Sequence, residues 1–197
     1  MGQDITFATL IGSRICHDLI SPIGAINNGI ELIEMSVPSM GPEMALISES
    51  VTNASARIRF FRIAFGAAGV QLIGRPEVIS ILKDVYAPTR LTVAWGPLEA
   101  QQRRKIRLTF LSLMCMETGM PFGGRIEVAE RDDKLVITGY ADKFKIDPDL
   151  WGAFDGTAKV PDLRPAHVQF GLLPVIAADE AVDLDVVVTD ELIRISI

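Results

Sequence analysis

The sequence predicts an α+β protein in which an N-terminal helical hairpin precedes an α/β sandwich. Through the first 69 residues, apolar side chains recur at spacings of three and four, the period of amphipathic helices. From about residue 70, helical stretches alternate with short runs of alternating apolar and polar residues, as in half-buried strands. We therefore expect two domains, a helical one over residues 1–69 and a mixed one over residues 70–197.

The first helix is predicted over about residues 5–35. At about 100° per residue, its apolar side chains gather into one stripe. The members of this stripe are Ile11, Ile15, Leu19, Pro22, Ile26, Ile30 and Ile33. Because a proline inside a helix removes a hydrogen bond and clashes with the preceding turn, Pro22 should kink this helix.

The second helix carries an apolar seam of the heptad type. The seam consists of Met44, Ile47, Val51, Ala54, Ile58, Phe61 and Phe65. Pro42 suits the start of this helix and Gly66 suits its exit. The link over residues 36–42 is short, so the two helices should run antiparallel. Since two helices bury little surface, the simplest completion is a homodimer that forms a four-helix bundle.

The second domain is predicted to be a layered, mostly antiparallel α/β sandwich. Its predicted helices cover residues 75–86, 98–118 and 166–178, with a short helix after Pro148. Its predicted strands cover residues 91–95, 125–129, 135–138, 184–188 and 192–197, and the last four form two hairpins.

The composition excludes some classes of protein and raises a question. The chain is 49% hydrophobic and 22% charged, which excludes disorder. The longest apolar stretch, residues 60–74, is interrupted by Arg62 and is shorter than the roughly 20 residues of a membrane span. The excess of apolar residues favours a surface that a partner covers.

The charge balance also limits the partners. The net charge of −6 makes the chain a poor general binder of nucleic acid. One basic cluster stands out, and we expect it to be the solvated face of a helix. It consists of Arg103, Arg104, Lys105 and Arg107.

Cysteine and histidine are scarce. Cys16 and Cys115 are far apart, and with only two histidines no structural zinc site is expected. The N-terminus lacks the pattern of a signal peptide, so we expect a cytoplasmic protein in a reducing compartment.

His17 is predicted to point away from the apolar stripe of the first helix. The side chains around it are small or polar, namely Ser13, Arg14, Ser21, Gly24 and Asn28. Ile20 lies at one edge of this face and should be exposed. Surface histidines are common, but a surface helix normally carries Lys and Glu, which are absent here between residues 13 and 28. This face therefore favours docking of another protein, with Ser13, Ile20, Gly24 and Asn28 as contacts.

Phosphoryl acceptance is the chemistry that fits this histidine. An imidazole with a pKa near 6.5 is largely neutral and nucleophilic at pH 7. Arg14 could steady phosphoryl oxygens, Asp18 could orient the ring, and Ser21 could hydrogen-bond near the phosphate. The other histidine, His167, has no carboxylate or cysteine near it in sequence, and we interpret it as structural.

Two runs of sequence carry a family resemblance. HDLISP, which begins at His17, resembles the H-box of sensor histidine kinases, HExxTP, with Asp18 in place of Glu and Ser21 in place of Thr. ICHDLISPIGAI at residues 15–26 and ARIRFFRIAFG at residues 56–66 are more similar to the ChpT family of alphaproteobacterial histidine phosphotransferases. The resemblance covers essentially the whole chain.

The resemblance implies a homodimeric bundle carrying a phosphohistidine, followed by a degenerate domain similar to a histidine kinase ATPase domain. Residues 108–126 are similar to the kinase N-box region, but Ser112 and Met116 stand about where its asparagines would be. The glycine motifs that let backbone approach phosphates are missing. We therefore expect no bound nucleotide or metal, with Mg²⁺ supplied by the partner.

The leading hypothesis is a relay intermediate. His17 would take a phosphoryl group from the phospho-aspartate of a receiver domain in a hybrid sensor kinase, and would pass it to the receivers of cell-cycle response regulators. The alternatives are a divergent ATP-dependent histidine kinase and a non-catalytic dimeric scaffold that binds receivers. Phosphatase action on receivers could coexist with transfer.

Overall fold

The computed structural model describes residues 12, 19, 20, 23, 24, 26–33, 35, 42–67, 69–154 and 164–197. The described residues before residue 36 are helical, and we name residues 26–33 α1. The predicted fold class is confirmed in its essentials, because N-terminal helices precede a C-terminal α/β domain.

The remaining helices and strands follow in chain order. The helices are α2 Pro42–Ala64, α3 Arg75–Tyr86, α4 Arg103–Gly119, α5 Pro148–Trp151 and α6 Val168–Asp179, with a 3₁₀ turn over Pro165–His167. The strands are β1 Leu72–Ile73, β2 Leu91–Trp95, β3 Gln101–Gln102, β4 Gly124–Arg131, β5 Lys134–Tyr140, β6 Asp185–Val188 and β7 Ile193–Ser196.

The main sheet has five strands in the order β2-β4-β5-β7-β6. Only the β2–β4 pair is parallel, so the predicted mostly antiparallel sheet is confirmed. The β4–β5 hairpin turns at Asp132 and Asp133, which both have positive φ angles. Burial alternates along β5, where Leu135 and Ile137 are fully buried between less buried neighbours. One face of the sheet therefore packs on the core.

The predicted start of the long helix at residue 98 is wrong, because α4 begins at Arg103. Gln101 and Gln102 instead form β3, which pairs with β1 in a two-stranded antiparallel sheet. The backbone N–H of Arg103 also donates to the carbonyl of Gln71 at 2.9 Å. Pairing with the segment that follows α2 therefore determines the backbone conformation here, against the helical pattern.

The second half of α2 belongs to the core of the α/β domain. Phe60 is fully buried and stacks on Phe110 of α4, with ring centroids 4.3 Å apart and planes 7° apart. Ile63 and Ala64 are also buried in this cluster. The predicted seam describes a different face of α2, so the sequence pattern missed this one. The core is shared across residue 69, and the domain boundary there stays a prediction.

Large exposed apolar side chains are frequent on the described helical residues before position 48. Leu46 is 65% exposed and Met35 is 84% exposed. The others are Leu19, Ile26, Leu32, Ile33 and Ile47. Three members of the predicted stripe, Leu19, Ile26 and Ile33, are thus exposed in the single chain. None of the described helices has the length and apolar character needed to cross a membrane.

Replacing Phe60 with alanine should lower the free energy of unfolding by about 3–5 kcal/mol, because it leaves a cavity against Phe110. Urea unfolding at one fixed protein concentration measures the loss. Phe122→Ala is the matched control, since that ring is exposed and its loss should cost less than about 1 kcal/mol. Equal losses in the two variants would contradict the shared core.

Candidate functional site

Most of the predicted site falls on residues whose structure is not described. Ser13, Arg14, His17, Asp18 and Ser21 lie outside the described residues. Their roles therefore stay predictions from the sequence.

Three predicted docking residues do lie among the described helical residues. Gly24 is half-buried, and apart from its neighbours in the chain and its own helix backbone, no atom of the described residues lies within 4 Å of where its Cβ would be. Asn28, one turn further along the helix, is exposed. Ile20 is half-buried rather than exposed, which corrects that expectation and fits its position at the border between two helix faces. Among the residues that the structure describes, the space beside Gly24 is therefore open.

Gly12, the first of the described helical residues, lies beside the end of α2. A Cβ atom built on Gly12 would lie 3.4 Å from Cβ of Phe65 and 3.8 Å from its carbonyl oxygen. An early residue of the first segment beside the C-terminal end of the second is the arrangement that an antiparallel hairpin requires. Gly12 precedes His17 by five residues in the sequence.

Two charged pairs connect α2 to the α/β domain. Arg57 Nη1 donates to Glu117 Oε1 of α4 at 3.2 Å. Arg59 Nη2 donates to Asp84 Oδ2 of α3. Both pairs are partly buried, so solvent screens them less than it screens a fully exposed pair. They hold two sides of α2 against two different helices.

Arg103 of α4 forms hydrogen bonds with the backbone at the C-terminal end of α2. Arg103 Nη2 donates to the carbonyl of Arg62 at 2.8 Å, and its Nε donates to the carbonyl of Ala67 at 3.3 Å. The first is a bond to one of the free carbonyls that a helix leaves at its C-terminus, and the second binds the segment that follows the helix. Gly66 is needed here, because a Cβ atom would lie 2.1 Å from the Arg62 carbonyl oxygen.

Arg107 forms a second, more buried connection. Its Nε donates to the carbonyl of Ala64 at 3.4 Å, and its Nη1 lies 3.7 Å from Glu180 Oε1 at the end of α6. Burial raises the pKa of the Glu180 carboxyl, and the nearby Arg107 guanidinium opposes this increase. Burial likewise lowers the pKa of Arg107, and the negative charge of Glu180 opposes this decrease.

The interpretation of the basic cluster as a solvated helix face is therefore wrong for Arg107, which is buried, whereas Arg103 is half-buried and bonds to the end of α2. Sequence reasoning missed them because it assigned charge to the surface. A signal was available, since eight of the eleven residues 106–116 are apolar and they lie on every side of the helix, and a helix that is apolar on all sides is buried. An arginine within such a helix must find acceptors inside the protein.

Ser112 and Met116 are both fully buried in α4. The Ser112 hydroxyl donates to the carbonyl of Leu108 at 2.9 Å. Met116 faces the sheet, where its sulfur would lie 3.4 Å from a Cβ atom on Gly139, and the sulfur of Met120 would lie at 2.7 Å. Side chains of the core thus fill the positions that the resemblance aligns with nucleotide-binding asparagines.

Aromatic rings fill the space beside the C-terminal half of α4. Trp151 lies 5.3 Å from Phe170 and 5.8 Å from Phe154, between ring centroids. A Cβ atom on Gly119 would lie 2.9 Å from the Trp151 ring, so α4 and α5 are in close contact. Gln169 Nε2 donates to Thr118 Oγ1 at 3.2 Å and joins α6 to the same end of α4.

His167 stands at the N-cap of α6, where it is half-buried and its ring meets Phe170 edge-on at 6.5 Å. These contacts agree with a structural role. Within the part of the chain that the structure describes, no group of three or more His, Cys, Asp or Glu side chains could hold a metal ion.

Comparisons with known proteins agree with one another. A family model of the histidine phosphotransferase C-terminal domain matches residues 75–192. The protein phosphotransferase ChpT of Brucella abortus (strain 2308) is 35% identical over 173 residues, which cover 84% of this chain and 82% of that protein. A bacterial phosphotransferase whose structure was solved at 1.7 Å is 31% identical, with a TM-score of 0.70 over 100% of this chain and 96% of that chain.

Replacing Arg107 with methionine should lower the free energy of unfolding by about 3 kcal/mol near pH 7, because Glu180 loses its opposite charge. Without Arg107, the folded-state pKa of Glu180 rises further above its unfolded value of about 4.3. A carboxyl whose pKa is higher in the folded state than in the unfolded state favours folding at low pH, where it is protonated. That contribution to stability is lost as the pH rises and the carboxyl has to ionise. The deficit relative to the parent protein should therefore grow from about pH 4.5 to about pH 7.

Urea unfolding across this pH range tests the connection. The control is Arg107→Met combined with Glu180→Gln, which has no carboxyl to titrate and should show a deficit that does not change with pH. A pH-independent deficit in the single variant would contradict the pairing of Arg107 with Glu180.

Proposed function

Because this chain belongs to the family of ChpT-like histidine phosphotransferases, we propose that it is a relay intermediate in which His17 carries the phosphoryl group. One nitrogen of His17 attacks the phosphorus of a phospho-aspartate on a receiver domain. The P–N bond forms as the acyl-phosphate P–O bond breaks, and the aspartate leaves as a carboxylate. Attack by the aspartate of a second receiver then reverses these bond changes.

The observation that carries this assignment is the scarcity of histidine. The chain has two histidines, and a phosphohistidine carrier must use one of them. His167 is half-buried against Phe170. His17 begins the HDLISP run, and Gly24 and Asn28 follow it at seven and eleven residues, spacings that return to one helix face. The open space at Gly24 and the exposure of Asn28 support docking on that face.

The residues beside His17 have proposed roles in the transfer. Arg14 steadies the phosphoryl oxygens and Asp18 orients the imidazole ring. Ser21 hydrogen-bonds near the phosphate. Such transfer depends mainly on positioning and on neutralising charge. The Mg²⁺ ion that neutralises further charge belongs in this proposal to the receiver domain.

A protein donor is favoured over ATP. The burial of Ser112 and Met116, and the approach of Met116 and Met120 to Gly139, support this choice, because buried core side chains stand at the positions that the resemblance aligns with the kinase asparagines. The proposed donor is the receiver domain of a hybrid sensor kinase, and the proposed acceptors are receivers of cell-cycle response regulators in the cytoplasm. An ATP-dependent kinase remains the alternative that the first experiment below tests.

A homodimer is part of the proposal. The exposed apolar side chains of the two N-terminal helices, among them Ile26, Ile33, Leu46 and Ile47, support it, since a four-helix bundle would cover them.

The purified protein should not become labelled by radioactive ATP, whereas a phosphorylated receiver should label it within minutes. His17→Ala should abolish the labelling, since no other side chain accepts the group. His167→Ala is the matched control and should be labelled like the parent protein. Labelling that survives His17→Ala would contradict the proposal, and labelling by ATP alone would favour a kinase.

Gly24→Arg should abolish transfer, because a long charged side chain enters the open space where the receiver docks. Gly24→Ala should retain transfer, since a methyl group meets no atom of another described residue within 4 Å beyond its own helix backbone. Size-exclusion chromatography should find all three proteins at the same dimeric mass. If Gly24→Arg loses the dimer instead, Gly24 belongs to the bundle interface and the proposed docking face is wrong.

A further inference from the structure

Strand β2 is an edge of the main sheet that, among the described residues, lacks the usual protection. It ends the strand order at one side, and its sequence LTVAW contains neither a charged residue nor a proline. Proteins normally block exposed edges with lysine, proline or a bulge, because free backbone groups there recruit other strands. An unblocked edge of five residues therefore indicates a site where a strand from another chain can pair.

The hydrogen bonds of β2 identify which backbone groups are free. The N–H of Gly96 donates to Val128 and the carbonyl of Arg90 accepts from Gly124, so even-numbered residues of this segment bond to β4. The odd-numbered residues face outward. Leu91 meets the Thr89 hydroxyl at 3.1 Å, but within the described part of the chain Val93 and Trp95 have no outward backbone partner.

An apolar groove of about 570 Å³ lies along this edge, between β2 and α3. Ile79 and Leu82 of α3 form one wall, and Val93 of β2 forms part of the other. Lys83 is the only charged side chain among the lining residues, and it is exposed with no ion pair among the described residues. The groove thus offers apolar contact, free backbone groups and one positive charge.

A second copy of this chain does not fit the groove. If β2 paired with β2 of another copy, the side chains on the helix side of that strand would have to enter. Leu91 and Trp95 are each only 7% exposed, because they are already buried in their own core. An added strand must therefore bring its own apolar side chains.

We propose that β2 and α3 bind an extended peptide segment of a partner protein, which adds a strand to the sheet. The segment has apolar residues at every second position, to enter the groove, and an acidic residue that meets Lys83. Strand addition of this kind takes affinity from backbone hydrogen bonds and specificity from alternate side chains. The site does not depend on the proposed phosphotransfer.

The probes are fluorescein-labelled peptides with blocked ends, DTVTVTVT and KTVTVTVT, in which the charged residue shares the face of the valines, and a peptide of the first composition with its valines consecutive. Fluorescence anisotropy with the full chain should show that the first peptide binds two- to fivefold more tightly than the second. The third should bind more weakly than either. Lys83→Glu should reverse the preference between the first two peptides.

Val93→Pro tests the free edge directly. It removes an N–H that the sheet does not use, as edge prolines do, and should weaken the first peptide about tenfold while the fold is kept. Ile79→Asp places a charge in the groove wall and gives a second test if Val93→Pro does not fold.

Three results would overturn the proposal. The first is no saturable binding of any probe, and the second is binding that neither Val93→Pro nor Ile79→Asp weakens. The third is a fall in oligomeric mass caused by Val93→Pro without peptide, measured by sedimentation velocity. That fall would make the edge an interface between copies of this chain.

Discussion

The stacking of Phe60 on Phe110 is the contact on which the rest of the structure depends. Phe60 lies on α2, the second helix of the hairpin, whereas Phe110 lies in the middle of α4, which forms the centre of the α/β domain. Because α2 contributes to both parts, its outer face remains available for a bundle while its inner face completes a core. Helix α2 is therefore packed against the α/β domain and is not joined to it by a linker alone.

Charged contacts around this aromatic pair fix the same helix at several points. Arg57 and Arg59 connect its sides to α4 and α3, and Arg103 and Arg107 bind the carbonyls at its end. A phosphoryl carrier benefits from such a rigid support, since in-line transfer requires reacting atoms to be held in position. In the proposed relay, the α/β domain would thus give α2 a rigid support.

Much of this architecture follows from sequence pattern. The bounds of α3 and β2 are those that periodicity predicts, since each has one buried face and clear turn residues beside it. Predictions fail where a distant contact competes with the local pattern. Gln101 pairs with Ile73 instead of lying in a helix. In α2 the regular heptad seam is the stronger sequence pattern, and it does not include the buried face that carries Phe60. Arg107 was misplaced because its acceptors, Ala64 and Glu180, are distant in the sequence.

The proposed site could be predicted from the sequence in most detail, because its chemistry depends on one residue type in one motif. The most direct measurement is to locate the phosphoryl group by tandem mass spectrometry, at neutral to alkaline pH, after mixing with a phosphorylated receiver. Trypsin should release His17 in the peptide that follows Arg14 and ends at Arg57, so the two histidines fall on different peptides. We predict a single phosphoryl group on His17. A group on His167, or on any other residue, would contradict the account.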